Sequence, residues 1–330
     1  MKLTKAFIFG LVTVFLLEFI FVSCAKEPPP LLRVGFVVWP GSEGLYLARD
    51  LGYYGNAPIK LIDYPSDQEL MRSYRSGDLE AITISLDEAW SLAETAPDLR
   101  IVIIQDISNG GDAILAKPEI KKLQDLKGRR VGVESTALGA FELSRALEQV
   151  GMSPQDVQIV SLLISQDEQL FKQGSIDAVV TYEPTVSNLL ATDANLLFSS
   201  RQIPGEVLDV VAMRESVVTN QPATAQALTT GWFRALDYLQ LHPADAARRM
   251  ASHEGVTPVQ FLKSLNGIRI PDVQSNQHIL GKTDTASIET LSRLAKYMVK
   301  KNLLKKAVSP TSVFDARLVD NVELSIFKNH

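Results

Sequence analysis

Three carboxylates in this sequence stand where strand ends should meet helix starts. Asp87 follows the apolar run 81–84, Glu183 follows the apolar run 178–181, and Asp112 opens the run 113–116. Short apolar runs bounded by turn and helix signals read as buried parallel strands, and open α/β sheets hold ligands beyond the carboxyl ends of such strands. Carboxylates gathered there suit an amine, an amidine or a ring N–H better than a bare anion. Asp106 and Glu134 are secondary members of the same group. Trp39 and Tyr182 can cover the flat or apolar face of a ligand. Each residue has an ordinary alternative: acids near helix N-termini cap helices, and aromatics pack at domain edges.

Four loops should converge on these groups: Trp39 to Ser42, Ser85 to Asp87, Ser135 to Gly139, and Tyr182 to Pro184. Each opens a helix whose free N–H groups and positive dipole end favour anions or carbonyl oxygens. The candidate ligand-binding residues are therefore Trp39, Gly41, Ser42, Ser85, Asp87, Asp112, Ser135, Thr136, Tyr182 and Glu183. Catalysis finds less support. His242, His253, His278 and His330 all lie in the last 90 or so residues, away from those loops. His242 suits a helix C-terminus and the other three read as surface residues. No metal-ligand spacing, cysteine nucleophile or phosphate-loop glycine pattern is present, so no metal or cofactor is expected. Two carboxylates could do acid–base work, but nothing in the sequence fixes their separation.

The elements that must position these residues come as a repeat. Residues 74–90 and 171–187 match aromatic to aromatic (Tyr74, Phe171), base to base (Arg75, Lys172), then Gly77 to Gly174, Leu79 to Ile176, Glu80 to Asp177 and Ala81 to Ala178. Val34-Gly35-Phe36 and Val131-Gly132-Val133 share the same offset of 97 residues. Two matches at one offset indicate two lobes built on one plan. In each, a helix ends at a glycine, a short strand follows, and a new helix begins, with Ser85 as a cap or Pro184 in the first turn.

Taken in order, strands are expected at 31–38, 58–62, 81–84 and 99–106, separated by helices, which gives a parallel sheet with right-handed crossovers. The chain then changes lobe at 108–112, builds a second, smaller lobe with strands at 113–116, 130–133, 157–160, 178–181 and 196–198, and returns through 203–213. From Pro222 it reads mainly helical, with Leu228, Trp232, Ala235 and Leu239 as an apolar stripe against the first lobe. The domain boundaries are 31–110 with 206–330 for lobe 1 and 111–205 for lobe 2.

A chain of 330 residues, 46% of them hydrophobic, can bury a sizeable core of about two domains. Its net charge of −5, without a basic block, argues against nucleic acid as a partner. Lys2 and Lys5 precede an apolar run from Ala6 to Val22 and then Ser23-Cys24. This is a targeting segment, residues 1–23. Cys24, the single cysteine, resembles a bacterial lipoprotein processing site, with diacylglycerol carried on its sulfur; Phe21 and Glu18 depart from that pattern. The alternative is an uncleaved anchor, since the run approaches the ~20 residues of a spanning helix. Either way the body lies outside the cytoplasmic membrane, held off it by the 24–30 spacer with its three prolines.

The stretches 45–54, Ser85-Leu-Asp-Glu88, 112–117, Leu126-Lys-Gly-Arg-Arg-Val-Gly-Val-Glu134 and Val179-Val-Thr-Tyr-Glu-Pro184 together resemble the solute-binding proteins of ABC importers for nitrate, sulfonates, taurine and thiamine-pyrimidine precursors. The likeness runs from about Leu31 to about Ala251. It implies a periplasmic-binding-protein type II fold: two α/β lobes, each a mostly parallel sheet flanked by helices, joined by two crossover strands near Gly110 and Gly205, with a helical C-terminal part. It also implies a monomer that closes on a small solute and hands it to a permease and ATPase without catalysis. A sensor signalling through a membrane partner, and a lyase or pyrimidine-synthesising enzyme on the same fold, are the other readings the resemblance allows.

Overall fold

The computed structural model describes residues 29–305, 309 and 311–323. The targeting segment and Cys24 lie outside the described residues. Eleven strands are found among those described: β1 Leu32–Phe36, β2 Ile59–Asp63, β3 Ala81–Ser85, β4 Leu99–Ser108, β5 Asp112–Ala116, β6 Arg130–Glu134, β7 Gln158–Leu162, β8 Ala178–Tyr182, β9 Asn195–Ser199, β10 Leu208–Arg214 and β11 Ile268–Arg269. They form a six-stranded sheet in the order β11-β4-β10-β3-β1-β2 and a five-stranded sheet in the order β7-β6-β8-β5-β9. Helices flank both, and the C-terminal part is mostly helical. This is the mixed α/β, two-sheet architecture expected from the alternation of short apolar runs and amphipathic segments.

The first sheet departs from a simple parallel sequence at one place. β10 returns from the second sheet and inserts antiparallel between β3 and β4, so the strands before the first crossover run parallel but are not all neighbours. β11, which the sequence reading places in a helical region, adds antiparallel to the outer side of β4.

The repeat at an offset of 97 residues has a physical basis. Arg33 donates through its backbone N and Nε to Glu80 Oε2, both at 2.9 Å, and through Nη2 to the Gly77 carbonyl at 3.1 Å. Arg130 does the same to Asp177 Oδ2, at 2.9 and 3.1 Å, and to the Gly174 carbonyl at 2.9 Å. Each arginine thus ties the first strand of its unit to the helix end and strand start that lie beside it. Gly77 and Gly174 take φ of 87° and 76°, the left-handed region where a side chain is strained. Val34 pairs with Ala81 as Val131 pairs with Ala178.

The chain passes between sheets twice, and the two passages are bonded together. The Ser108 and Ser200 hydroxyls lie 2.8 Å apart, Gly110 N donates to Ser200 Oγ at 2.6 Å, and Arg201 Nε donates to the Asn109 carbonyl at 2.8 Å. The C-terminal part clamps the first passage from the other side: the Gly267 carbonyl accepts from Asn109 N at 2.7 Å and Gly111 N at 2.9 Å. The helix Pro222–Leu241 buries Leu228, Trp232 and Ala235, as its apolar stripe requires, and the Trp232 ring fills the space over Gly44. Leu31–His330 form one compact unit.

A Cβ at Gly267 would lie 2.9 Å from the Cα and N of Gly111, both backbone atoms that cannot rotate away. Gly267→Ala is expected to destabilise the protein by about 1 to 3 kcal/mol through overpacking. A lowered denaturant midpoint at unchanged slope would confirm it, and an unchanged midpoint would show that the clamp yields without strain.

Candidate functional site

A cavity of about 40 Å³ lies where the carboxyl ends of β1, β3 and β4 meet β5 and β8. Trp39 and Ser42 reach it from the loop after β1, Ser85 from the end of β3, Glu88 from the first turn of the helix Leu86–Ala93, and Asp67 from the first turn of the helix Asp67–Ser76. Gln105 comes from β4, Asp209 from β10, and Asp112 and Tyr182 from paired positions of β5 and β8. The Trp39 and Tyr182 rings meet edge to face, with centroids 5.6 Å apart. Residues from both sheets therefore close the cavity.

The strand register brings three of these groups into line. Asp209 of β10 stands opposite Ser85 of β3 on one side and opposite Asp106 of β4 on the other. The β4–β10 ladder then slips, pairing Val210 with Ile104, which leaves Gln105 as the extra residue of a bulge. Bulges re-aim side chains, and here Gln105 and Asp106 are both fully buried. Asp106 Oδ2 accepts from Trp39 Nε1 at 2.8 Å. Gly41 packs so closely on both of these groups that no side chain fits there.

Every charged residue on the cavity lining is acidic: Asp67, Glu88, Asp112 and Asp209. Asp87, Asp106, Glu134 and Glu142 stand behind them, all nearly or fully buried. Burial, reinforced by neighbouring carboxylates, pushes Asp106 and Asp112 up to about 7 and Glu134 up to about 8. Burial pushes Asp87 up to about 6. Asp67, Glu88, Glu142 and Asp209 are raised well above the carboxylate range by burial and by each other. One oxygen of each of Asp87, Glu88, Asp106, Asp112, Glu134 and Glu142 has no partner among the described residues, and neither do the Ser85 hydroxyl and both amide atoms of Gln105. Buried polar atoms are ordinarily satisfied, so a concentration of free acceptors in one place calls for a donor from outside.

The structure sorts the residues expected from sequence. Trp39, Ser42, Ser85, Asp112 and Tyr182 line the cavity. Asp87 sits just behind, in the first turn of the helix Leu86–Ala93, with Ser85 at the N-cap but making no side-chain cap bond. Gly41 acts through the space it leaves for Asp106. Thr136 caps the helix Ala137–Glu148 by accepting from Gly139 N at 3.4 Å. Ser135 is exposed, with its hydroxyl on Ser161 and its carbonyl accepting from Gln68 Nε2 at 3.1 Å. Glu183 turns both oxygens onto Ser187, accepting from its N at 2.9 Å and its Oγ at 2.8 Å. It is a cap for the helix Thr185–Leu190, the alternative weighed for it, and does not line the cavity.

Asp67, Glu88, Gln105 and Asp209 were missed. Glu88 and Gln105 each neighbour a residue that was chosen, and Asp209 is an acid inside an apolar strand, a signal that could have found it. The reading of His253 as a surface residue is corrected as well. Its ring lies half-buried on Tyr46, centroids 3.8 Å apart, with Nδ1 2.7 Å from Glu43 Oε1 and Nε2 3.0 Å from Asp63 Oδ1. Burial opposes its charge, but the two carboxylates outweigh burial and raise its pKa. Glu43 is fully buried directly after Ser42, so His253 braces the cavity loop from behind.

A profile described as the NMT1-like family matches residues 25–253. A Haemophilus influenzae protein named for thiamine biosynthesis is 25% identical over 87% of this chain and 91% of its own. The taurine-binding periplasmic protein of Escherichia coli is 23% identical over 68% of this chain and 70% of its own. Among solved structures, the alkanesulfonate-binding protein SsuA of Xanthomonas axonopodis, bound to MOPS, superposes with a TM-score of 0.71 at 19% identity, covering 87% of this chain and 99% of that one.

Acids whose folded pKa is raised bind protons in the folded state that the unfolded chain has released. Stability therefore falls as pH rises from the unfolded carboxylate range near ~4 through the values of about 6 to 8 given above for Asp87, Asp106, Asp112 and Glu134. His253, raised by its partners, adds stability that is also lost as pH rises. Without ligand, the melting temperature is expected to be higher at pH 5 than at pH 8. Glu88→Gln or Asp112→Asn should raise stability at pH 8 by on the order of 1 kcal/mol. A melting temperature that rises steadily from pH 5 to pH 8 would contradict this electrostatic account.

Proposed function

Since the chain belongs to the NMT1-like family, we propose that it is an extracytoplasmic solute-binding protein that captures a small organic solute and delivers it to an ABC permease and its ATPase. The observation that carries this reading is the cavity itself: closed by residues of two sheets, at the carboxyl ends of their strands, and lined by acids that have no basic partner there. That chemistry favours an amino-bearing or heterocyclic solute over a sulfonate or nitrate. The names of its relatives, one a taurine-binding periplasmic protein and another tied to thiamine biosynthesis, support periplasmic small-molecule capture and leave the sign of the ligand's charge to the site.

In this reading residues 31–110 with 206–330, and residues 111–205, are the two moving lobes. The bonded passages at 108–111 and 200–207 are the hinge, as in two-lobed binders that close on ligand. Cys24 carries a lipid that holds a monomeric body beside the membrane, facing the periplasm or cell exterior. Binding is preferred to catalysis because His253 is held by Glu43 and Asp63 behind the cavity loop, and the Ser42 and Ser85 hydroxyls of the lining have no histidine or lysine beside them on the described lining to act as a base. A solute that returns unchanged by NMR after prolonged incubation supports binding; a new product would establish an enzyme.

A thermal-shift screen against amines, aminated heterocycles, alkanesulfonates, taurine and nitrate tests the solute class, with ligand at 100 times Kd expected to add about 2.7 kcal/mol. Asp112→Asn is expected to weaken binding of the hit by about 1 to 3 kcal/mol, and Glu183→Gln to leave affinity nearly intact while lowering stability. Small-angle scattering should register contraction on binding. Hits confined to sulfonates or nitrate, with Asp112→Asn indifferent, would sink the acidic-cavity reading.

A further inference from the structure

The free hydrogen-bonding atoms of the cavity specify more than a positive charge. Four unpartnered acceptors line it: Ser85 Oγ, Glu88 Oε1, Gln105 Oε1 and Asp112 Oδ2. All four residues are at most 2% exposed. The unpartnered donors on the described lining are Gln105 Nε2 and the Ser85 hydroxyl, which can also accept. An alkylammonium offers three N–H donors in a tetrahedral cone, a quaternary ammonium none, and a sulfonate presents only acceptors. An amidinium or guanidinium offers four or more donors in one plane. Trp39 and Tyr182, whose rings meet edge to face, line a cavity of about 40 Å³ that suits a small head, and an aromatic face attracts a delocalised cation.

We propose that the cavity binds the planar head of a guanidinium- or amidinium-bearing solute, with Glu88 and Asp112 taking its N–H fork and Gln105 and Ser85 accepting the remaining donors. This inference rests on the reading of the cavity as a solute site and names the chemical class that it takes. Glu88 Oε1 and Asp112 Oδ2 each offer one free oxygen to a delocalised cation, and hydrogen bonds with ionised partners are about twice as strong as neutral ones. Gln105, placed by the bulge in β4, sets how many acceptors the head can carry. A head with acceptors in several directions leaves them facing Glu88 and Asp112, which repel them.

Calorimetric titration of the full-length protein with methylguanidine, acetamidine, ethylamine, tetramethylammonium and taurine tests this at pH 8, above the value of about 7 to which burial pushes Asp112. Methylguanidine and acetamidine are expected to bind about tenfold or more tighter than ethylamine, with tetramethylammonium and taurine silent. Glu88→Gln and Asp112→Asn are each expected to weaken methylguanidine about tenfold, while melting at pH 8 shows both variants folded. Gln105→Leu, which keeps every carboxylate, should narrow the preference for methylguanidine over ethylamine. Ethylamine binding as tightly as methylguanidine overturns the planar-head inference and leaves capture of a cationic solute standing. Taurine binding with all cations silent overturns both. Silence from all five probes overturns the planar-head inference, and the wider screen then decides the function.

Discussion

Taking carboxylates out of water without a cation beside them is among the most unfavourable things a fold can do, because the charged form loses its hydration and gains nothing in return. This chain does so with eight acids around one cavity, and much of its architecture follows from holding them there. The first response is protonation, visible as the upward displacement of every carboxyl in the group. The second is local donation: the Trp39 N–H to Asp106, Ser108 beside Asp112, and backbone N–H groups at the start of the helix Leu86–Ala93 for Asp87. The third is the apolar core on either side, with β3 and β4 buried along their lengths. That core supplies stability well away from the site, so strain can persist where function needs it.

The internal repeat explains how such a site can be assembled. Arg33 with Glu80, and Arg130 with Asp177, fix one strand–helix–strand unit in each sheet, and each pair sits at the outer end of its strands, remote from the cavity. Stability elements and site elements are thus at opposite ends of the same strands, the usual division in parallel sheets. The cavity draws on what differs between the copies. β10 crosses back into the first sheet only and carries Asp209 between Ser85 and Asp106. In the second sheet the residue that aligns with Thr83 is Val180, and Asp167 there is engaged by Thr181 and Thr185, so that sheet contributes Asp112 and Tyr182 and otherwise acts as a wall.

The order of strands and helices was legible because short apolar runs, terminal glycines and helix caps are local signals. Ser66 and Thr136 cap their helices, Ser85, expected as a cap, sits at the N-cap without a side-chain bond, and the nine strands placed from sequence before β10 appear within a few residues of their expected positions. Register and side-chain direction are not local. Asp87 and Glu88 are adjacent in sequence but a helix turns them about 100° apart, and it is Glu88 that reaches the cavity. Gln105 faces inward only because of a bulge, and Asp209 matters only because β10 inserts between two particular strands. Glu183, like Asp87, follows an apolar strand and precedes a helix, yet its carboxylate turns back onto Ser187. The pairing of His253 with Glu43 spans most of the chain, beyond the reach of any pattern in the sequence.

The helices near the cavity bear on which sign of charge the proposed site would accept. Open helix N-termini are anion sites in this class of fold, since their free N–H groups and dipoles favour negative charge. Here the chain fills those positions with its own acceptors. Asp87 and Glu88 occupy the first turn of Leu86–Ala93, Thr136 bonds Gly139 at the start of Ala137–Glu148, Glu183 bonds Ser187 in Thr185–Leu190, and Ser66 bonds Glu69 in Asp67–Ser76. An incoming anion would have to displace a carboxylate or hydroxyl already bound and then sit beside the others. A cation meets no such competitor, because Glu88 and Asp112 on the lining each keep one oxygen without a partner among the described residues. Filling the helix N-termini with the chain's own acids and hydroxyls thus removes the ready anion sites that open helix ends offer, with no change in strand order.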